Sequence, residues 1–158
     1  MSIPGSCWHS GRLYDLSVGT GAGVSTGYLA SVSKMSKVVT VDFPHPAEKE
    51  VRRNLKKIKN IEYIAADVIQ TVQDIMDSGN IPQFIHIAHT ALWRQTVEMI
   101  LPYATSDMVI VVEDMGKKQK KEWWKEIIND ERVGVTFQMK KIGLLFFDKK
   151  MTKQHYVL

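Results

Sequence analysis

The segment from Gly19 to Gly23 carries three alternating glycines and directly follows an apolar strand predicted over Leu13 to Val18. Glycine allows a backbone to turn sharply and to approach a ligand closely. The helix predicted from about Val24 would offer this ligand unpaired N–H groups and a positive dipole. A second predicted strand ends on Asp42, roughly 20 residues later, where a doubly wound sheet presents a carboxylate to a ribose. The pattern predicts a nucleoside site; a glycine turn that only packs a helix on a strand is the alternative.

The spacing of the glycines indicates which nucleoside is bound. A dinucleotide fingerprint requires G-x-G-x-x-G. Counted from Gly19, the sixth position is Val24, and counted from Gly21 it is Thr26. The G-x-G-x-G pattern therefore disfavours a nicotinamide-binding oxidoreductase, which remains the third hypothesis.

Residues 19–30 read GTGAGVSTGYLA. This segment resembles the first motif of small class I S-adenosylmethionine (SAM)-dependent methyltransferases, in particular an O-methyltransferase-like group whose motif is close to GTSxGxSTxYLA. The likeness continues through Asp42, the Ala66-Asp67 turn, the Glu113-Asp114 strand end and the closing KQHYVL. It extends over nearly everything from Arg12 to Leu158.

The resemblance implies SAM as the cofactor, S-adenosylhomocysteine as its product, and a small acceptor methylated on oxygen. In the family, the acid that ends the third strand, here Asp67, lies near the adenine amino group. Its position also suits an N-cap of the following helix, and both roles can hold. The cofactor-binding residues that we predict are Gly19, Thr20, Gly21, Gly23, Asp42, Asp67 and Ala88.

His89 and Asp114 are the predicted catalytic residues. An imidazole titrates near neutrality, which suits removal of a proton from an acceptor hydroxyl. The alternative is a strand-end histidine that is hydrogen-bonded to a carbonyl. In metal-dependent catechol-type relatives, acids after strands four and five hold a divalent ion, which here would be Asp114 with Glu113 or His89. Helix capping and lysine pairing are the alternative for these acids.

Two positions depart from the family pattern. Ser17 stands where an acid usually ends the first strand, and Asp15 lies two residues earlier on the same strand face. Ala88 and His89 replace the usual Asp-Gly pair after the fourth strand. These departures support the second hypothesis, a catalytically silent SAM- or nucleoside-binding module.

Composition restricts the class of protein. The 158 residues, 44% of them hydrophobic, predict a single soluble domain over 1–158, with residues 1–11 as a loose leader. The single cysteine, Cys7, excludes an internal disulfide and fits a reducing cytoplasm. No apolar run is long enough for a membrane span. A net charge of +4 is only mildly basic, so we do not predict a nucleic-acid partner. So short a leader leaves the substrate side open, which suggests a homo-oligomer.

The predicted fold class is α/β: a doubly wound, mostly parallel, seven-stranded Rossmann-like sheet with helices on both faces and an antiparallel C-terminal hairpin. Too few residues separate the last two strands for a crossover, so they must pair antiparallel. His86 is predicted to pack within its strand. The lysines of residues 117–125 are predicted to form a solvated helix face, and Trp123 and Trp124 to anchor that helix. The predicted strands are Leu13–Val18, Val38–Val41, Ile61–Ala65, Phe84–Ala88, Met108–Val112, Val133–Phe137 and Ile142–Phe147; the predicted helices start near Val24 and span Glu48–Lys57, Val68–Met76, Ala91–Tyr103 and Lys117–Asn129.

Overall fold

The structure, a computed structural model, describes residues 14–32 and 36–158. The predicted leader, Cys7 and the first residue of the predicted first strand lie outside this range. The strands are β1 (Tyr14–Val18), β2 (Lys37–Asp42), β3 (Ile61–Ala65), β4 (Phe84–Ile87), β5 (Val109–Glu113), β6 (Val135–Gln138), β7 (Ile142–Phe146) and β8 (Gln154–Val157). The helices are α1 (Val24–Val32), α2 (Glu48–Leu55), α3 (Val68–Asp77), α4 (Trp93–Ile100) and α5 (Lys118–Ile127).

Internal contacts divide the chain into two compact units, Met1–Pro82 and Gln83–Leu158. The first unit has strand order β3-β2-β1, and all of its strand pairs are parallel. In the register, Val18 lies beside Val41 and Asp42 beside Ala65, so the carboxyl ends of the three strands lie together. The apolar runs of β1 and β2 form the core of this unit, where Leu16, Val39 and Val41 are fully buried.

The second unit has strand order β4-β5-β7-β6-β8. Strand β5 is parallel to β4 and antiparallel to β7, and β7 pairs antiparallel with β6. The predicted hairpin is therefore confirmed, and so is the α/β class with a mostly parallel sheet. Trp123 and Trp124 are buried, which confirms that they anchor α5. A Cβ atom added at Gly143 would lie 2.5 Å from the Trp124 ring, so that ring packs directly on β7.

Residues 14–32 and 36–158 form eight strands, one more than the seven predicted. Strand β8 pairs parallel with β6, through His155 beside Thr136. All four residues of β8 are exposed, so the segment lacks the apolar alternation that marks a half-buried strand. Helix α4 is also shorter than predicted, because its last residues form a 3₁₀ turn, Leu101–Tyr103, that contains Pro102.

Helix α1 has the predicted position, but three of its large apolar residues are exposed. Val24, Tyr28 and Val32 are 63%, 73% and 86% exposed, whereas Thr26 and Ala30 are buried. Helical spacing shows that these three residues share a face, but it does not show which face a sheet covers. None of the helices in the described ranges is both long and apolar enough to cross a membrane.

Candidate functional site

The glycine loop joins β1 to α1 through three residues with left-handed backbone. The φ angles of Gly19, Gly21 and Gly23 are 86°, 52° and 85°. L-residues with a side chain rarely adopt these angles, which explains why the sequence has glycine at alternate positions. A Cβ atom at Gly21 would meet nothing within 4 Å, so a ligand can approach the backbone there. The Cβ of a residue at Gly23 would lie 3.0 Å from Leu55, because α2 packs against the loop.

Asp42 holds the glycine loop from the end of β2. Its carboxylate accepts hydrogen bonds from the backbone N–H of Gly21 at 3.0 Å and of Phe43 at 2.9 Å. A carboxylate has about four acceptor positions, so ribose hydroxyls could still bind while both of these bonds are kept. The predicted residues Gly21 and Asp42 thus lie together at the carboxyl ends of β1 and β2.

A chain of three buried hydroxyls lies beneath this loop. The Oγ1 atoms of Thr20 and Thr40 are 2.7 Å apart, and those of Thr26 and Thr40 are 3.3 Å apart. All three residues are at most 4% exposed. Thr20 therefore fixes the loop through its side chain. Thr26 and Thr40 were missed by the sequence analysis, although two threonines among apolar core positions could have indicated them.

Asp67 caps α3, as one of its two predicted roles requires. Its Oδ1 accepts a hydrogen bond from the backbone N–H of Gln70 at 2.8 Å. The neighbouring N–H of Ala66 donates to the carbonyl of Asp42 at 3.0 Å. The exposed Asp67 therefore follows the carboxyl end of β3, beside the end of β2 that carries Asp42. The adenine contact stays a prediction.

Ser17 and Asp15, the two β1 residues that depart from the family pattern, differ in burial. Ser17 is fully buried beside Thr40 in the register. Asp15 lies below it and is partly buried, and this burial raises the pKa of Asp15 above its ordinary value, against a smaller opposing effect from a hydrogen bond with Ser36. Phe43, directly after Asp42, is 41% exposed. Its exposed ring directly follows the Asp42 carboxylate, and the sequence analysis did not single it out.

In the second unit, His89 and Asp114 form a hydrogen-bonded pair through Nδ1 and Oδ2. Because a carboxylate only accepts, the bond to Asp114 places a proton on Nδ1, and Nε2, which lies 3.5 Å from the Lys117 ammonium, is the ring nitrogen that can accept a proton. The ammonium of Lys117 lies 3.0 Å from Nδ1 of His89 and 3.4 Å from Oδ2 of Asp114. The structure thus brings together the two predicted catalytic residues and adds a lysine to them.

Backbone and charge both act on Asp114. Its φ of 58° makes it the one non-glycine residue with positive φ in the described chain. Asp tolerates this conformation better than most residues, at a small cost in strain. The hydrogen bond from His89, with a further one from Lys117, lowers the pKa of Asp114 below its usual range. The carboxylate is therefore ionised at neutral pH and can orient the His89 ring.

The divalent-metal site that the catechol-type relatives suggested as one alternative is not supported. Within residues 14–32 and 36–158, no group of three or more His, Cys, Asp or Glu side chains is arranged to hold a metal ion. The carboxylate of Glu113 lies 3.0 Å from Nε2 of His86, and the Lys117 ammonium already supplies a positive charge beside Asp114. Since the Glu113 carboxylate pairs with His86, it does not form a shared metal site with Asp114.

Lys120 is a buried cation that the sequence analysis assigned to a solvated face, which is wrong. The residue is 2% exposed, and its ammonium donates to the backbone carbonyl of Glu113 at 2.5 Å. The same nitrogen lies 5.1 Å from the centroid of the Trp93 ring. Burial is the main cause that lowers the pKa of Lys120.

His86, which was predicted to pack within its strand, is buried as expected and also pairs with Glu113. Ala88 is nearly buried after β4, and its carbonyl accepts from the N–H of Thr90.

No protein-family model and no curated protein matches this chain significantly. Solved structures do match. A methyltransferase from Geobacter sulfurreducens has a TM-score of 0.71 at 14% identity, over 89% of this chain and 74% of the other. An SAH-bound methyltransferase from Podospora anserina has a TM-score of 0.64 at 12% identity, over 85% of this chain and 71% of the other. An rRNA methylase from Streptococcus thermophilus has a TM-score of 0.63 at 16% identity, over 93% of this chain and 98% of the other. The chain thus has the Rossmann-like fold of SAM-dependent methyltransferases.

Proposed function

We propose that this protein is a SAM-dependent methyltransferase that acts on an oxygen atom of a small acceptor. The observation that carries the proposal is the glycine loop, whose Gly21 N–H is held by Asp42 and whose backbone is open to a ligand. This arrangement lies at the carboxyl ends of parallel strands, where ligands bind in open α/β sheets. The methyltransferase structures that share the fold add support.

The residues present fit the nucleoside part of SAM. The loop from Gly19 to Gly23 would lie along the cofactor, and Asp42 would accept hydrogen bonds from its ribose. Phe43 would stack on the adenine, and Asp67 would bind the adenine amino group while it keeps its capping bond. When bound, SAM would supply a methyl group whose carbon an acceptor oxygen can attack in line, with S-adenosylhomocysteine as the leaving group.

The chain's own contribution to the reaction is proton removal. His89 would take the acceptor proton at Nε2, while Asp114 holds Nδ1–H and stabilises the imidazolium that forms. The hydrogen bond between His89 and Asp114 supports this assignment. Lys117 would favour an acceptor that becomes negatively charged, because its ammonium lies beside the same pair.

The second candidate is a catalytically silent SAM- or nucleoside-binding module. Ser17 favours it, because a fully buried hydroxyl stands where the family has an acid. The two candidates bind the same ligand and differ only in turnover.

Calorimetric titration with SAM, S-adenosylhomocysteine and NAD tests the binding step. We expect micromolar binding of the first two and none of NAD, with a loss of at least tenfold in Asp42→Ala. Asp74→Ala is the matched control, because Asp74 is an acid of the same unit whose side chain accepts a bond from Gln70. Equal losses in both variants, or tighter binding of NAD, would contradict the proposal. Release of S-adenosylhomocysteine with a panel of phenols, catechols and carboxylic acids then separates the enzyme from the silent module.

A further inference from the structure

A second cavity in the first unit has the opposite electrostatic character from the glycine loop. It has a volume of about 600 Å³ and lies between α2, the turn after it and β3. Apolar side chains and the Tyr63 ring are among the residues that line it. Five cations also line it: Lys49, Arg52, Arg53, Lys56 and Lys59. We refer to this cavity as the cationic groove.

The cations of the groove form a row. Lys49, Arg52, Arg53 and Lys56 are spaced at i, i+3, i+4 and i+7, so they share one face of the helix. A rise of about 1.5 Å per residue gives this row a length of about 10 Å. A row of charges suits a chain of repeated anions better than a single anion.

Carboxylates neutralise only part of this charge. Arg52 pairs with Glu48 at 2.8 Å and Arg53 with Glu50 at 3.4 Å. The other three cations of the groove make no ion pair within residues 14–32 and 36–158, so five positive charges face two negative ones. Favourable interaction with the C-terminus of α2 explains the cations of its last turn, but Lys49 lies in the first turn and gains nothing from it.

Arg52 adds a flat surface to the row. Its Nε donates to Glu48, and its guanidinium carbon lies 4.8 Å from the centroid of the Tyr63 ring. The side chain is still 52% exposed. The Tyr63 hydroxyl is buried and has no hydrogen-bond partner among the described residues, so the ring packs as an apolar support. Guanidinium planes held in this way are platforms on which single-stranded bases stack.

We propose that the cationic groove binds single-stranded nucleic acid, with phosphates along Lys49, Arg53 and Lys56 and a base on Arg52. A bilayer surface would require apolar side chains that protrude, and Leu55 in the groove lining is only 6% exposed; the exposed Val24, Tyr28 and Val32 belong to α1 and do not line the groove. A concave, positively charged groove with a stacking plane is the arrangement that tracks a single strand. The proposal extends beyond methyl transfer and does not depend on it.

The test is fluorescence anisotropy of the full chain with a labelled 12-nucleotide uridine RNA, at 50 to 200 mM salt. Each phosphate contact contributes about −0.7 to the slope of log K against log salt for single strands. Lys49→Ser/Arg53→Ser/Lys56→Ser should therefore reduce the slope by about 2 and weaken binding at least tenfold at low salt. Lys118→Ser/Lys121→Ser/Lys125→Ser removes the same charge from exposed positions of α5 and should leave binding within about twofold.

Arg52→Lys tests the stacking plane, because it keeps the charge and removes the flat surface. We expect an unchanged salt slope and a fivefold or greater loss of affinity, in line with about 1–3 kcal/mol per stacked base. A thymidine DNA of equal length separates the two kinds of single strand. Equal affinity for DNA and RNA supports recognition of phosphates and bases alone, and weaker affinity for DNA supports RNA as the ligand.

Three results would overturn the proposal: equal losses in the α2 and α5 triple variants, no measurable RNA binding, or tighter binding to phosphatidylserine vesicles or to a polyglutamate peptide than to RNA. Urea denaturation of each variant shows whether it is folded. Because the anisotropy measurement uses neither SAM nor turnover, failure here would leave the proposed methyltransferase untouched.

Discussion

The glycine loop and the His89 cluster present two different ways to build a site. Backbone conformation, hydroxyls and one carboxylate hold the loop, and its position follows from three positive φ angles. Mostly exposed side chains build the cluster, in which 69% of the His89 side chain and 55% of the Lys117 side chain are accessible. The first region therefore resembles a pre-formed binding surface. The second has the ionisable groups that proton transfer requires, but less packing to fix them.

His89→Ala should break this comparison most clearly. Loss of a general base costs about 10²–10⁴-fold in rate, so turnover should fall by that factor while SAM affinity stays within about twofold. The measurement is S-adenosylhomocysteine release together with calorimetry. Lys118→Ala is the control, since the Lys118 side chain is 89% exposed and the residue directly follows Lys117 of the cluster. An unchanged rate in His89→Ala would remove the histidine from the mechanism.

Gly143→Ala should destabilise the second unit, and Gly23→Ala the first. The new Cβ would meet the Trp124 ring at 2.5 Å in one case and the flexible end of Leu55 at 3.0 Å in the other. Overpacking against a rigid ring costs about 1–3 kcal/mol or more. For Gly23→Ala, we expect about 1–2 kcal/mol, chiefly from the left-handed backbone.

Urea denaturation measures both losses, and Gly21→Ala is the control. It has a positive φ and open space around its Cα, so only strain contributes. If Gly21→Ala costs as much as Gly143→Ala, crowding against Trp124 is not the cause.

Lys120→Met should have a pH-dependent effect on stability. Burial, partly offset by Asp114 and Glu113, lowers the pKa of Lys120 below the ordinary 10.5, so the folded chain loses this proton before the unfolded chain does. Between the two pKa values the unfolded state binds more protons, and stability rises with pH. The wild type should therefore gain stability relative to Lys120→Met as pH approaches 10.5, as measured by urea denaturation from pH 7 to 10. A wild type that loses stability relative to Lys120→Met as pH rises over this range would contradict the prediction.

The smallest expected effect is that of Asp130→Asn. The hydrogen bond from Arg132 lowers the pKa of Asp130 from 3.8 to about 2. The stabilisation is fully present above pH 4 or so and is lost as pH falls through the folded value, because the native carboxylate must then be protonated. Acid titration of thermal stability should show a slightly shallower decline for the variant between about pH 4 and pH 2. A steeper decline would exclude this pair as a source of acid sensitivity.

Backbone features of the fold were the most predictable from the sequence. Apolar runs identify β1, β2 and β5, and glycines identify the loop, because both are set by local chemistry. Strand β8 could not be predicted, since its residues are exposed and its order comes from pairing with β6. Lys120 could not be predicted either, because a lysine in a charged run normally faces solvent and only tertiary packing on Trp93 buries it. The sequence predicted His89 and Asp114 as catalytic residues, but their hydrogen bond and the position of Lys117 beside them depend on tertiary structure.

The three threonines beneath the glycine loop affect how pH profiles of this protein can be interpreted. Hydroxyls of Thr20, Thr26 and Thr40 do not titrate in the range used for assays, so this part of the support of the loop contributes no ionisation of its own, in contrast to the Asp42 carboxylate. A bell-shaped dependence of rate on pH would then report on carboxylates, imidazoles and amines, and not on the hydroxyl network. Comparison of that curve with a pH series of SAM affinities would separate proton transfer from cofactor binding without a single mutation.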